Sequence, residues 1–518
     1  MHVVRYPITF DGSSSRNLAI LQFEFQLHSE LLHGPADGFR VSRLQTVTYF
    51  KGRYCVIGAG ASGLGVAKNF KLHGIPFDCL EREPDVGGLW NFHTQTGVVY
   101  ETTHLVSAAF STWFEDFPMD ATVIPAYPSH AQVLNYFRDF IVHFGLTPHI
   151  KLGCTVERVS PRDDKFWDVK IAGEDAPRVY RGVVLANGHH HSPRMPVVPG
   201  NFSGEILHSS AYRSPKQLRD KRVLVVGAGN SACDIARDAA HTSGNIVVMS
   251  FRRGYWFVPK FMLGFPTHDV VATVEAIPLP RTIRRFIFEA SLWLLQGPPS
   301  RYHLPDPDYH IDQAHPTMSD DIPRLAAHGR VVIRPEIEHF DGAKVFFKDG
   351  SSCEFDIVVF GTGYKIEFPF IDNDLINDET GRPKLFQYTF HPQYDNFFAA
   401  GLVQANGSIW RLSDYQGRLI SRFIHAQDRA PARADWFRKL KSAATKPLEA
   451  AFVASERHTV ETNYYVYRRQ LKRLTAGFGR ELAKLETNAP LPAHMASRPP
   501  WFKSAVKSPQ RSPTVPAE

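Results

Sequence analysis

The feature that most limits what this chain can fold into is a strand–glycine turn–helix–strand unit that occurs twice. The first runs through the apolar strand "RYCVIG" from Arg53, the helix pattern "AGASGLGVAKNFKLHG" and the strand "FDCLE". The second runs through "KRVLVVG", "AGNSACDIARDAAHTSG" and "NIVVMSFR". A strand that feeds a helix and returns beside itself must pair in parallel, so each stretch predicts a βαβ unit. Two such units predict an α/β fold with two Rossmann-like nucleotide-binding domains. Two further apolar strands, in "GVVLANG" and "FDIVVFGTGY", lie between and after them. The later one is expected to rejoin the first sheet, which makes the second unit an insertion.

The turns carry the chemistry. In Gly58-Ala59-Gly60-Ala61-Ser62-Gly63 the first glycine allows the tight exit from the strand, and the second lets backbone approach a pyrophosphate. The third lets the helix pack close, and the helix start offers free N–H groups to phosphate. Glu81 follows Gly58 by 23 positions, at the end of the next strand, where a carboxylate can accept from ribose hydroxyls. In Gly227-Ala228-Gly229-Asn230-Ser231-Ala232 the third glycine is alanine, and the residue 23 positions after Gly227 is Ser250, followed by Arg252 and Arg253. An acid there would repel a 2′-phosphate, whereas serine can donate to it and arginine can clamp it. The second site therefore reads as one for NADP(H). Shortly after Glu81, Gly87, Gly88, Leu89 and Trp90 suggest backbone passing close to a flat ligand, with an ordinary turn and a buried tryptophan as the alternative.

Composition narrows the class. At 518 residues, two domains are expected, and 43% hydrophobic with 21% charged residues is ordinary for a soluble protein. The net charge of +7 is small for this length, and no aromatic-interleaved basic stretch argues for nucleic acid. Five scattered cysteines without a CxxC pair suggest reduced thiols in a cytoplasmic setting and remove the dithiol of a disulfide reductase. The first residues do not read as a signal peptide. "FIFEASLWLL", Phe286 to Leu295, is far short of the ~20 residues that span a bilayer. It reads as a buried helix or interdomain face. A weakly peripheral, interfacial helix held by Arg284 and Arg285 is the other reading. His189, His190 and His191 suggest no metal, because neighbours on a strand point to opposite faces. Cys233 reads as a buried structural thiol, and Asp234 as serving the helix N-terminal region.

With these motifs in order, the chain resembles the flavin-containing monooxygenases. That family carries a glycine turn, an acid on the second strand and then GGLW in this spacing. It also carries FxGxxxHxxx(Y/F)K, which is Phe202, Gly204, His208, Tyr212 and Arg213 here, with arginine in place of lysine. The related Baeyer–Villiger monooxygenases end this motif in tryptophan. Gly361, Thr362 and Gly363 in "GTGYKIEFPF" resemble the family's ATGY segment and join the expected cofactor-binding residues. "AAGLVQANGSIWRLSDYQGR" resembles its C-terminal flavin-domain segment. The likeness spans roughly residues 53–425.

The resemblance implies FAD at the first turn and NADPH at the second. It implies hydride transfer to FAD, reaction of reduced flavin with O2 to a hydroperoxide, and transfer of one oxygen atom to a small-molecule nitrogen or sulfur nucleophile. Carbonyl oxygenation is a neighbouring outcome. One position departs from the pattern: the family's asparagine after GGLW is Val106, with Ser107 next to it as a partial substitute at the flavin–nicotinamide junction. That departure favours, as an alternative, an uncoupled NADPH oxidase or flavin reductase. The expected order is an extension over 1–49, FAD-binding domain over 50–213 and 325–432, NADPH-binding domain over 214–324, a helical region over 433–490 and a disordered tail over 491–518.

Overall fold

The computed structural model describes residues 48–277, 279–379, 381–443 and 460–488. The expected tail, and all of the extension but Thr48 and Tyr49, lie outside these residues. The chain enters β1 (Thr48–Ile57), turns at Gly58, and continues through α1 (Ala61–Leu72) into β2 (Phe77–Leu80). α2 (His130–His143) follows, its first turn closed by a reciprocal capping box between Ser129 and Gln132. Then come β3 (Ile150–Lys151), β4 (Val156–Pro161), β5 (Trp167–Ile171) and β6 (Arg178–Leu185). These form one sheet in the order β3-β2-β1-β6-β5-β4, parallel at its centre, with β4 and β5 antiparallel.

The second sheet is wholly parallel. β7 (Glu205–His208), β8 (Val223–Val226), α3 (Asn230–Thr242), β9 (Val247–Ser250), β10 (Val331–Arg334) and β11 (Ile357–Phe360) appear in chain order. The sheet order is β10-β9-β8-β11-β7. Here the structure corrects the sequence reading. The strand of "FDIVVFGTGY" is β11, which pairs with β8 in the second sheet and not with the first. The strand that returns to the first sheet is Phe397–Ala399, parallel to the second half of β6. The second unit is still inserted, but its sheet draws on residues 205–208 and 331–360, across the expected boundaries at 213 and 324. A strand of four fully buried apolar residues fits either parallel sheet, and periodicity cannot say which.

Helix Ile409–Arg429 lies on α1, and glycines set the approach. A Cβ on Gly417 would sit 3.0 Å from Val66 Cα, and one on Gly65 would sit 3.3 Å from Asp414 N. Inside this contact Lys68 is fully buried, with Nζ 2.6 Å from both Asp116 and Asp414. Burial alone would lower its pKa; the two carboxylates outweigh burial and raise it. Loss of one carboxylate from such a set would leave buried charge unmatched, at a cost of roughly 3–5 kcal/mol.

The expectation of a buried helix at Phe286–Leu295 is also corrected. The segment lies in helix Arg281–Gln296, where only Leu292 is buried; Phe286 is 70% and Leu294 87% exposed. Arg284 and Arg285 pair with Glu275 and Asp312. An apolar run resembles a core helix in sequence, and only tertiary contacts show that, among the described residues, Leu292 and Phe288 pack against neighbours while most of the run stays uncovered. Among the described residues, no helix is long and apolar enough to cross a membrane.

Candidate functional site

The first turn is built as a cradle. Gly58 has φ +103°, and a Cβ there would meet Ala186 O at 2.7 Å. A Cβ on Gly63 would lie 1.8 Å from Gly58 O, so only glycine lets α1 start against the turn. Gly60 is different: its φ is −78°, and an added Cβ would make only ordinary contact, 3.6 Å from Gly88 Cα. The space over Gly60 is left open by the fold itself. Gly87 and Gly88 both take positive φ, +108° and +54°, and Gly87 N donates to Ala59 O at 3.1 Å. The GGLW segment is thereby held across the mouth of the turn, with Gly88, Leu89 and Trp90 partly exposed and Trp90 edge-on to Trp410.

Glu81 closes the other side. Its carboxylate accepts from Ala59 N at 2.7 Å and Glu83 N at 3.1 Å, and burial raises its pKa despite these two bonds. Ala61 and Ser62 open α1. Gly401, in the segment after the returning strand, abuts Ser62: a Cβ there would sit 2.0 Å from Ser62 Oγ. Gly401 N donates to Gln416 Oε1 at 2.9 Å. Both residues lie in the segment that resembles the family's C-terminal flavin-domain stretch, where sequence alone gives neither of them a partner.

The second turn repeats the geometry. Gly227 has φ +113°, and a Cβ there would meet Gly361 O at 2.5 Å. Gly361 in turn packs on Ala232, whose Cβ would be 2.6 Å from a Cβ on Gly361. Gly229 caps α3 with extended backbone, and Asn230 Oδ1 accepts from Met318 N at 3.0 Å. Ser231 and Ala232 continue the helix. Thr362 Oγ1 donates to Arg194 O, and Gly363, at φ +80°, accepts from Arg194 N. Ser250 is where the structure departs from the reading: it is buried and its hydroxyl donates to Pro335 O at 2.7 Å. It is thus engaged by the neighbouring chain, and Arg252, 80% exposed at the side chain, is the group presented beyond β9. Arg253 pairs with Asp308 and lies over Tyr309.

A small cleft at the start of α3 brings Val106 together with Asn230, Asp234, Arg237 and Lys260. The resemblance implies a junction position for Val106, and in the structure Val106 shares this cleft with Asn230 at the start of α3. Ser107 is engaged elsewhere. Thr112 Oγ1 donates to Ala108 O at 2.9 Å, so the 2.6 Å contact between Ser107 Oγ and Thr112 Oγ1 uses the serine proton. Asp234 does not serve the α3 backbone: it accepts from Tyr100 OH at 2.7 Å and pairs with Arg237. Cys233 is buried, and burial pushes its thiol pKa up.

The FxGxxxHxxxY stretch has a physical role. His208 Nε2 lies 3.0 Å from Gly363 O, and its ring is edge-on to Tyr364. Tyr212 OH donates to Asp238 at 2.9 Å, the same carboxylate oxygen that accepts from Thr102. Arg213 donates to Gly97 O and Val99 O. The stretch therefore ties the loop after GGLW to α3. The three histidines occupy irregular chain after β6, not a strand; His189 and His190 rings touch, and His191 Nε2 lies 2.9 Å from Glu367 O.

A family profile described as flavin-binding monooxygenase-like matches residues 51–489. The chain is 30% identical over 434 residues to flavin-containing monooxygenase 5 of Oryctolagus cuniculus, covering 80% of each chain. It is 30% identical over 437 residues to the N-oxide-forming dimethylaniline monooxygenase 2 of Rattus norvegicus, covering 80% of this chain and 81% of the other. Solved structures share the fold at lower identity. S-allyl-L-cysteine S-oxygenase from Allium sativum superposes with a TM-score of 0.55 at 20% identity, covering 83% of this chain and 92% of that one. The NADP+-bound cyclohexanone monooxygenase from Rhodococcus sp. Phi1 superposes at 0.61 and 18% identity, covering 83% and 98%.

Proposed function

The chain belongs to the flavin-binding monooxygenase-like family, and on that premise we propose that it is an FAD-dependent, NADPH-consuming monooxygenase acting on a small molecule with a nucleophilic nitrogen or sulfur. The observation that carries this reading is the contrast between two turns of one geometry. Glu81, a buried carboxylate, ends the strand after the first, and Arg252 stands beyond the strand after the second. A carboxylate suits ribose hydroxyls, and a guanidinium suits a 2′-phosphate.

The residues fit both groups. Gly58, Ala59, Gly60, Ala61, Ser62 and Gly63 would hold the FAD pyrophosphate, Glu81 its ribose, and Gly88, Leu89 and Trp90 would line the approach to its ring. Gly227, Gly229, Asn230, Ser231 and Ala232 would hold the NADPH pyrophosphate, with Gly361 packed on the turn and Thr362 and Gly363, bonded to Arg194, completing the expected cofactor-binding set. Bound FAD supplies the activation of O2 with electrons taken from NADPH. The protein's part would be to hold the loop after GGLW against α3, through the Tyr212–Asp238 and Tyr100–Asp234 bonds, and to keep water out. The name of the rat relative, N-oxide-forming, favours nitrogen as the acceptor atom. All five cysteines are unpaired thiols, which accords with a cytoplasmic setting.

The test is purification followed by turnover. A yellow protein with about one FAD per chain, which oxidises NADPH faster than NADH and forms an N-oxide from N,N-dimethylaniline or a sulfoxide from a thioether, is expected. A colourless chain that takes up no added FAD refutes the reading.

A further inference from the structure

Two cations line the cleft at Val106, and they differ in how they are matched. Arg237 lies within 3.9 Å of three carboxylates, those of Asp234, Asp238 and Asp321. Lys260, among the described residues, forms no ion pair within 4.0 Å, in contrast to its neighbours Arg253 and Arg281. Its Nζ stands 5.3 Å from the Tyr127 ring centroid, and the residue is half-buried. Its charge acts on the carboxylates of Asp234 and Asp320 from beyond ion-pair distance, so neither caps the ammonium directly.

Nor is Lys260 loosely carried. Its backbone N–H donates to Asp320 at 3.0 Å, and its carbonyl accepts from Thr267 N at 2.9 Å and from Tyr127 OH at 2.5 Å. Tyr127 precedes α2 in the first unit, whereas Lys260 follows β9 in the second. Three bonds from two units thus fix this residue over the cleft. The same cleft is lined by Asn230, which immediately follows Gly229 in the second glycine turn. The nearby carboxylate of Asp234 would oppose an anion, but Tyr100 OH and Arg237 already engage it.

We propose that Lys260 is a cofactor-binding residue whose ammonium pairs with the diphosphate bridge of bound NADP(H). This rests on the second turn being the NADP(H) site. A lysine supplies a compact point charge suited to phosphate, and it adds to the turn's backbone donors a charge that the turn's own residues lack. A carboxylate on the substrate is the other anion that could reach the cleft, and the test separates the two.

NADP+ and adenosine 2′-monophosphate, which lacks the diphosphate, are titrated calorimetrically into the FAD-loaded protein and its variants. Lys260→Ala is expected to weaken NADP+ about tenfold, the loss of one charged contact, and Lys260→Arg to restore most of it. Adenosine 2′-monophosphate is expected to bind Lys260→Ala and the unmodified protein alike, while Arg252→Ala weakens both ligands. Unchanged NADP+ affinity in Lys260→Ala overturns the proposal, as does an equal loss for the two ligands. Failure of NADP+ to bind the unmodified protein overturns the assignment of the second turn itself, and Lys260 with it.

Discussion

Ser250 Oγ donates to Pro335 O at 2.7 Å, inside the protein, while Arg252 two residues on extends into solvent with its Nε 4.0 Å from Glu336. The hydroxyl holds β9 to the chain after β10, and the guanidinium stays exposed. An exposed pair at that distance is worth little, so Glu336 competes weakly for it.

Coenzyme choice is therefore expected to sit on Arg252. Arg252→Ala should raise the Michaelis constant for NADPH by about tenfold or more, since a hydrogen bond to a charged group is worth roughly 1.5–3 kcal/mol, and leave NADH nearly unchanged. Ser250→Ala should lower thermal stability without changing the NADPH/NADH ratio. Steady-state kinetics with both coenzymes checks this; a ratio that moves with Ser250 and not Arg252 contradicts it.

Two glycines of the first turn should fail in different ways. At Gly60 the backbone suits any residue and the nearest atom to a Cβ is 3.6 Å away, so Gly60→Val should fold and yet remain colourless. At Gly63 a Cβ would overlap Gly58 O at 1.8 Å, so Gly63→Ala should lose stability of the apoprotein as well. Circular dichroism and flavin content of the two purified variants separate a filled ligand space from a broken turn.

Glu81 makes the apoprotein sensitive to pH. Burial raises its pKa, so the folded chain holds this proton more tightly than the unfolded chain does. The sign follows from linkage: the contribution is present below the unfolded pKa and is lost as pH rises through the folded one. At neutral pH the buried charge is a cost. Glu81→Gln should raise the melting temperature of the apoprotein at pH 7–8, converge with the parent near pH 4, and weaken FAD binding. A melting temperature that falls equally at both pH values would show that Ala59 and Glu83 N–H bonds outweigh the buried charge.

How much of this could be read in advance differs by residue. The glycine turns were legible because backbone conformation restricts residue type there, whereas the ligand roles proposed for Glu81 and Arg252 rest on their charge and position alone. β11 was assigned to the wrong sheet because "IVVF" is apolar throughout and carries no facing information. Ser250 was read from its offset alone, and its bond to Pro335 spans 85 positions. Helix Arg281–Gln296 looked like core because exposure depends on what the rest of the chain leaves uncovered. Lys260 stands in no motif, and Gln416 and Asp238 lie inside quoted segments that give them no role; each matters through partners that only the fold brings near.

Val106 is the position where sequence and structure combine into the sharpest test. An asparagine amide there could donate and accept toward ligands in the cleft, and valine can do neither. Ser107 cannot take over, because its proton is directed to Thr112 Oγ1 at 2.6 Å. Losing one well-placed donor in a buried site costs about 2.7–4 kcal/mol of stabilisation where charge develops. NADPH oxidation is therefore expected to be partly uncoupled, with H2O2 formed alongside oxygenated product. Val106→Asn should lower the H2O2 formed per NADPH by several-fold, at unchanged FAD content. Ser107→Ala should leave that ratio where it is, because its hydroxyl serves the turn before Thr112. Amplex-type peroxide detection run in parallel with NADPH absorbance gives the ratio directly. A parent protein that already releases no H2O2 would show that another cleft donor fills the gap, and Lys260, facing the same space, is the first to substitute in that case.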